Sequence, residues 1–227
     1  MLNIYAARDH EIEKVGQQFA RDGRSTARTF EGAAQWICES MFRTFVLGDQ
    51  SPLFALFRIY RICTHHQLPP DIRIPARADS PYWFALAGTY GVEPAWQDRK
   101  QSKTHQAIPE ALGRVAPMFR AGISQLRLKW GQPGEIQMQS MGAGTVQYFY
   151  VPEAEGSPYI LDQEQFVLPY GIHSVIGIGS VFLSGAAYIA FGFTRASLEA
   201  SVIEKWTVLA PHVSTLLGNF DNGKLWG

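Results

Sequence analysis

Apolar residues recur at three- and four-residue steps at Ile12, Val15 and Phe19, and this spacing predicts a helix over Asp9 to Asp22, closed by Gly23. The apolar face is narrow and the remainder is charged or polar, which suits a helix laid against a partner helix or a domain edge. A second helix is predicted from Thr29 to Val46. Thr29 stands where an N-cap is needed, Glu31 brings negative charge to the first turn, and Ala33, Trp36, Ile37, Met41 and Phe45 form an apolar stripe.

Beyond the turn at Gly48 to Pro52 the period changes from helical to alternating. Leu53 to His65 reads as a strand, with Leu53, Ala55, Phe57 and Ile59 on one face and Phe54, Leu56, Arg58, Tyr60 and Ile62 on the other. Both faces begin apolar, which places the strand in the middle of a sheet. Leu68 to Ala78 is a connector, and Tyr82 to Tyr90 is a second strand. Glu93 to Ala107 is a polar loop carrying Trp96 and His105. Pro109 suits the start of a helix running to about Trp130, kinked at Pro117.

The second half returns to sheet. Ile136 to Met141 and Thr145 to Val151 read as a hairpin around Gly142-Ala143-Gly144. Pro152 to Tyr170 is irregular, with a helical turn near Asp162 to Phe166. Ile172 to Leu183 and Ala186 to Thr194 form another hairpin, turning at Ser184-Gly185. Leu198, Val202, Ile203, Trp206, Leu209, Val213 and Leu216 then trace a last helix to about Leu217, with Pro211 arguing for a kink or break. Strands joined by hairpins imply an α+β fold, a central antiparallel sheet flanked by N- and C-terminal helices. The expectation is one domain over residues 1–227, with helices over 1–50, sheet over 51–195 and the C-terminal helix over 196–227.

Charge and composition narrow the function classes. Twenty Lys plus Arg balance twenty Asp plus Glu, so no basic excess exists to neutralise a phosphate backbone, and a nucleic-acid partner is not expected. Hydrophobic residues make up 46%, enough for a sizeable core. The N-terminal residues lack a basic segment followed by an apolar one. With two cysteines, Cys38 and Cys63, the chain reads as cytoplasmic with free thiols, although their spacing leaves a disulfide between them open. Ser174 to Thr194 carries no charge and is long enough to cross a bilayer. Its β-branched residues, its turn, and Gly177, Gly179, Gly185 and Gly192 favour a buried hairpin, so no membrane partner is expected.

Most catalytic motifs are absent: no phosphate-binding glycine loop, dinucleotide fingerprint, zinc-protease helix or nucleophile elbow occurs. Cys63-x-His65 has the spacing of half a metal site, but no second compact pair completes it. As a nucleophile and base the same two residues are uninformative, because positions i and i+2 share a strand face automatically. Glu153, Glu155, Asp162 and Glu164 read as a solvated acidic loop. A haem needs only one axial histidine and an apolar pocket; His65, His66, His105 and His173 are the candidates.

Three stretches carry a family pattern. Val151 to Tyr159 reads V-P-E-A-x-G-S-P-Y, followed by Phe166, by P-Y-G-I at Pro169 to Ile172, by S-V-x-G-x-G at Ser174 to Gly179, by Ser184-Gly185, and by a strand ending at Phe193 to Arg195. Upstream, Leu56, Arg58, Tyr60, Thr64 and His65 form a strand end, spaced slightly differently from the pattern. Gly91 to Pro109 reads G-x-E-P-x-W-x-D-R-x-x-S-x-x-H-x-A-I-P. From Ser51 to Arg195 the chain resembles the GAF-type sensory domains of bacterial hybrid sensor histidine kinases. It departs from them at His173, where the pattern carries arginine, and at His105-Gln106, where it carries H-R.

The resemblance implies a GAF/PAS-like fold, with helices behind a central sheet and loops covering a pocket in front. It implies a free-standing sensor, since few residues follow Arg195, that binds a small molecule or cofactor and pairs through its terminal helices as a homodimer or with a signalling protein. The loop around Trp96 and the segment from Tyr159 to His173 would face that pocket. Trp96, Tyr159 and Tyr170 would offer aromatic surface there, and His105 and His173 polar handles. The alternatives are a haem-binding sensor or small-molecule enzyme on the same scaffold using one of the four histidines, and a pure interaction module dependent on Ile12, Val15, Trp206 and Val213.

Overall fold

The structure, a computed structural model, describes residues 1–73, 80, 82–102, 104–109, 118, 128–130, 136–138, 147–160 and 162–227. The chain opens with strand β1 (Leu2–Asn3), which pairs in parallel with β2 (Phe45–Val46). Between them run helices α1 (Asp9–Thr26) and α2 (Phe30–Thr44). Thr29 caps α2 as its sequence predicts, its hydroxyl accepting from the Gly32 amide at 3.0 Å. The alternating stretch becomes β3 (Phe54–Cys63), followed by a 3-10 turn at His65–Gln67 and a one-turn helix α3 (Pro70–Arg73). Next come β4 (Trp83–Gly91), β5 (Ala107–Pro109), β6 (Leu128–Trp130), β7 (Ile136–Met138), β8 (Gln147–Val151), β9 (Ser174–Val181), β10 (Ala187–Thr194) and the C-terminal helix α4 (Ala200–Gly218).

Six strands form one antiparallel sheet in the order β5-β4-β3-β10-β9-β8. Every residue of β3, β4 and β10 is buried, as the two apolar faces of β3 require of a central strand. One face packs on α1, α2 and α4 through Phe57, Ile59, Cys63, Ile178, Tyr188 and Ala190. The charge-poor segment is the β9–β10 hairpin in the heart of this sheet. No helix among the described residues is long and apolar enough to cross a membrane.

Four local expectations change. Gly23 does not end α1, which continues to Thr26. The glycine serves packing: a Cβ there would lie 2.4 Å from Leu216 and 2.7 Å from Trp36, and one at Gly16 would lie 2.3 Å from His212. These two positions, about two turns apart, let α1 lie directly on α4. Pro211 does not break α4, which runs through it; it is exposed, and the carbonyl it leaves unpaired belongs to exposed Thr207.

Pro109 closes strand β5 opposite Trp83 and so is itself strand, not helix. A missing N–H is equally harmless in a first helical turn and on a sheet edge, so the residue type fits both. Leu128–Trp130 is strand, pairing with Ile136–Met138, while β8 pairs with β9. Alternation identifies a strand without naming its partner. The expected turn at Gly142 to Gly144, and Pro117 with most of the expected helix, lie outside the described residues.

The helix-facing core contains a fully buried ion pair. Arg61 on β3 meets Asp221, beyond α4, at 2.7 Å, with side chains only 2% and 3% exposed. The Arg61 guanidinium also lies 4.6 Å over the Phe30 ring. Removing one partner of a buried pair strands the other charge. Asp221→Ala is expected to lower stability by about 3–5 kcal/mol in urea unfolding, and an Arg61→Met/Asp221→Leu double variant to recover much of that loss.

Candidate functional site

The second face of the sheet carries no helix of the α1–α2–α4 layer. On β3 it presents Leu56, Arg58, Tyr60 and Ile62; on β10, Ala187, Ile189, Phe191 and Phe193. Cross-strand pairing puts Arg58 opposite Thr89 of β4 on one side and Phe191 of β10 on the other. These three side chains therefore share one rung of one face.

Among the described residues, two segments, together with Met118, pack over that face. Residues 152–173 contribute buried Ala154, Ile160, Val167 and Ile172. They are tied together by the Gln163 side chain, which accepts from the Gly156 amide at 2.9 Å and donates to the carbonyls of Ala154 and Ile160 at 3.1 and 2.7 Å. The other segment is the loop from Glu93 to Gln106, whose 3-10 turn (Pro94–Trp96) sets Trp96 on the sheet. A Cβ at Gly91 would lie 2.9 Å from the Trp96 ring, so the indole rests where only glycine leaves room. Trp96 lies 4.6 Å from Tyr170 and 5.7 Å from Phe166, ring to ring, and Phe166 meets Phe193 edge-on at 4.9 Å. The Tyr170 hydroxyl pKa is pushed up by burial and by the Glu93 carboxylate beside it.

The loop is clasped to the helical layer. Buried Arg99 donates from Nε to Glu31 at 2.7 Å and from a terminal nitrogen to Asp71 at 2.9 Å. Gln35 of α2 donates to the carbonyls of Thr89 and Gln97, both at 2.9 Å. These contacts hold Ser102 and His105 over β3.

There they meet Arg58. The residue is 6% exposed. One terminal nitrogen donates to Ser102 Oγ at 3.1 Å; the other lies 3.5 Å from both the Tyr60 hydroxyl and His105 Nδ1. Its Nε is buried without a hydrogen-bond partner among the described residues, and so is Thr89 Oγ1. No carboxylate of the described residues forms an ion pair with Arg58, in contrast to Arg61 and Arg99. His105 is held with φ of 59°, in the left-handed region that a non-glycine residue seldom adopts.

Of the residues singled out from sequence, Trp96, Tyr170 and His105 come together over this face, the two aromatic residues half-buried and His105 exposed with its Nδ1 turned to Arg58. Tyr159 and His173 are exposed, and His173 engages the sheet through its backbone, donating to the Thr194 carbonyl and accepting from Ala154. Among the haem candidates, His66 is exposed and His65 lies against Trp83, so only His105 borders the second face. Among the described residues no three His, Cys, Asp or Glu side chains form a metal-binding group. The acidic loop residues Glu153, Glu155, Asp162 and Glu164 are all exposed. Arg58 and Ser102 stand in the family pattern but were not singled out as site residues, and Thr89 was not singled out at all. The available signal was an arginine inside a strand apolar on both faces.

Cys38 and Cys63 are free and buried in the helix-facing core. Burial pushes the Cys63 thiol up to about 12 and raises Cys38 well above its usual value, so neither serves as a nucleophile near neutrality. At pH 8 a thiol reagent should modify neither until denaturant unfolds the chain.

The His105 pKa is lowered, first by burial and then by the Arg58 charge, with Asp162 acting weakly in the opposite sense. The unfolded chain takes up this proton near about 6.5. The neutral ring's contribution is therefore complete above that pH and lost as pH falls through it. By NMR, His105 should titrate below about 6.5, and Arg58→Met should move it only part of the way back, because burial is the larger cause.

With the geometry in place, comparison with known proteins gives one result. No family model matches the chain, and no curated protein matches it by sequence. Among solved structures, the GAF domain of a phosphoenolpyruvate-protein phosphotransferase from Coxiella burnetii superposes with a TM-score of 0.52 at 12% identity, covering 94% of this chain and 96% of its own. The GAF domain of the corresponding Acinetobacter protein gives 0.51 at 8% identity, covering 91% and 92%. The fold is GAF-like, an α+β architecture with a six-stranded antiparallel sheet and flanking helices.

Proposed function

We propose that the protein is a small-molecule-sensing domain that acts in the cytoplasm and holds its ligand between the second face of the sheet and the two segments that roof it. One observation carries this reading. An apolar sheet face surrounds a buried arginine that has no carboxylate partner among the described residues, and aromatic contacts between two loops close it, a composition that suits a ligand site. The GAF-like fold and the resemblance of Ser51 to Arg195 to sensory domains support it.

Ligand uptake resets the contacts among Trp96, Phe166 and Tyr170, and the change passes through the Arg99–Glu31 and Gln35 links to α2 and the helical layer. A second copy or a signalling partner reads that layer from outside. It does not do so through Ile12, Trp206 and Val213, which are buried within the protomer, with Val15 half-buried beside them.

The test is a thermal-shift and native mass-spectrometry screen of the purified protein against a metabolite panel. A ligand at about a hundred times its Kd should raise Tm by on the order of 5–10 °C. Trp96→Ala should abolish that rise while leaving the chain folded. No response to any compound would sink the reading, and a Soret band on adding haem that depends on His105 would replace it with a haem sensor. Light scattering reports whether the chain pairs, and whether the ligand alters that pairing.

A further inference from the structure

We infer that the ligand is an oxyanion, a phosphate or carboxylate group bound by Arg58, Thr89, Ser102 and His105; this rests on the small-molecule reading above. Three arginines are buried among the described residues. Arg61 has Asp221, and Arg99 has Glu31 and Asp71. Arg58 has a serine hydroxyl at 3.1 Å and two neutral groups at 3.5 Å. An interior guanidinium without a counter-charge is unfavourable unless something supplies one. Among the described residues, the groups around it are donors or neutral.

A second observation is independent of charge. The Thr89 hydroxyl lies on the same rung, buried and without a hydrogen-bond partner among the described residues. With Arg58 Nε it forms a pair of unused donors on one patch of one face. The third is His105. Its Nδ1 faces the guanidinium, so the neutral ring carries its proton on Nε2 and presents a further N–H. The left-handed backbone that places the ring there is a strained conformation kept at this one position of the loop. Asp162, the acid that acts on His105 electrostatically, is exposed and makes no ion pair with Arg58. An oxyanion accepts from all these groups at once, and a planar or tetrahedral one suits the fork of a guanidinium.

The experiment uses the arginine Nε–H correlation spectrum of the 15N-labelled full chain, with the Arg58 signal assigned by its absence in Arg58→Met. Inorganic phosphate, acetate and benzoate are titrated separately, with neutral benzamide as control. The Arg58 signal should move saturably with phosphate or with the carboxylates, which separates the two sources, and should ignore benzamide. In anion-free buffer Arg58→Met should be at least as stable as wild type, and its affinity for the active anion should be about tenfold or more weaker. Thr89→Val keeps the shape of the site and should weaken the same anion, which decides the matter if Arg58→Met does not fold. An Arg58 signal indifferent to every anion overturns the inference. So does a neutral metabolite that stabilises wild type and Arg58→Met equally, an outcome that leaves the small-molecule reading standing. Silence from all compounds of any charge overturns both.

Discussion

The structure turns on a central strand whose ten residues are all buried and which nonetheless carries two arginines. Arg58 and Arg61 stand three positions apart, an odd number, so the pleat sends them to opposite faces. On the helical side Arg61 is neutralised by Asp221 and covered by Phe30, and its charge becomes a fixed part of the interior. On the other side Arg58 has, among the described residues, only hydroxyls and an imidazole. A charge that is costly to bury in either direction is thus settled on one face and open on the other. That asymmetry sets apart the face on which the ligand is proposed to bind.

The roof over the Arg58 face depends on the helical side for its shape. The loop bearing Trp96, Ser102 and His105 has little apolar surface of its own beyond Trp96. Its placement comes from Arg99, buried between Glu31 at the start of α2 and Asp71 of α3. The chain end joins the same clasp: the Trp226 ring lies 5.8 Å from the Arg99 guanidinium, and the Gly227 amide donates to Glu31 at 2.6 Å. Glu31, read from sequence as a helix-dipole residue, therefore also organises contacts from two distant parts of the chain.

Much of this was legible in the sequence because the periodicities were clean. Ile12 and Phe19, the capped stripe from Thr29, the alternation around Phe57 and the Ser184-Gly185 turn each named an element that exists. The errors arose where one residue type serves two purposes. Gly23 suits a helix end and a close helix crossing, and Pro109 suits a helix start and a sheet edge. Pairing of β7 and β8 was beyond local reading, since alternation carries no address. At the site, Trp96, Tyr170 and His105 stood out by residue type and loop context. Arg58 was visible but was absorbed as one position of an apolar strand. Thr89 and Ser102 gain meaning only once β4 and the loop are laid beside it.

Pro109 has a consequence beyond local geometry. It closes the short outermost strand of the sheet's β5 border, and its ring nitrogen has no hydrogen to offer a neighbouring chain. Along β5 a stray β-segment meets a three-residue template with one donor missing, so fibril-like stacking finds little purchase there, and that border is guarded against self-association by its own covalent chemistry.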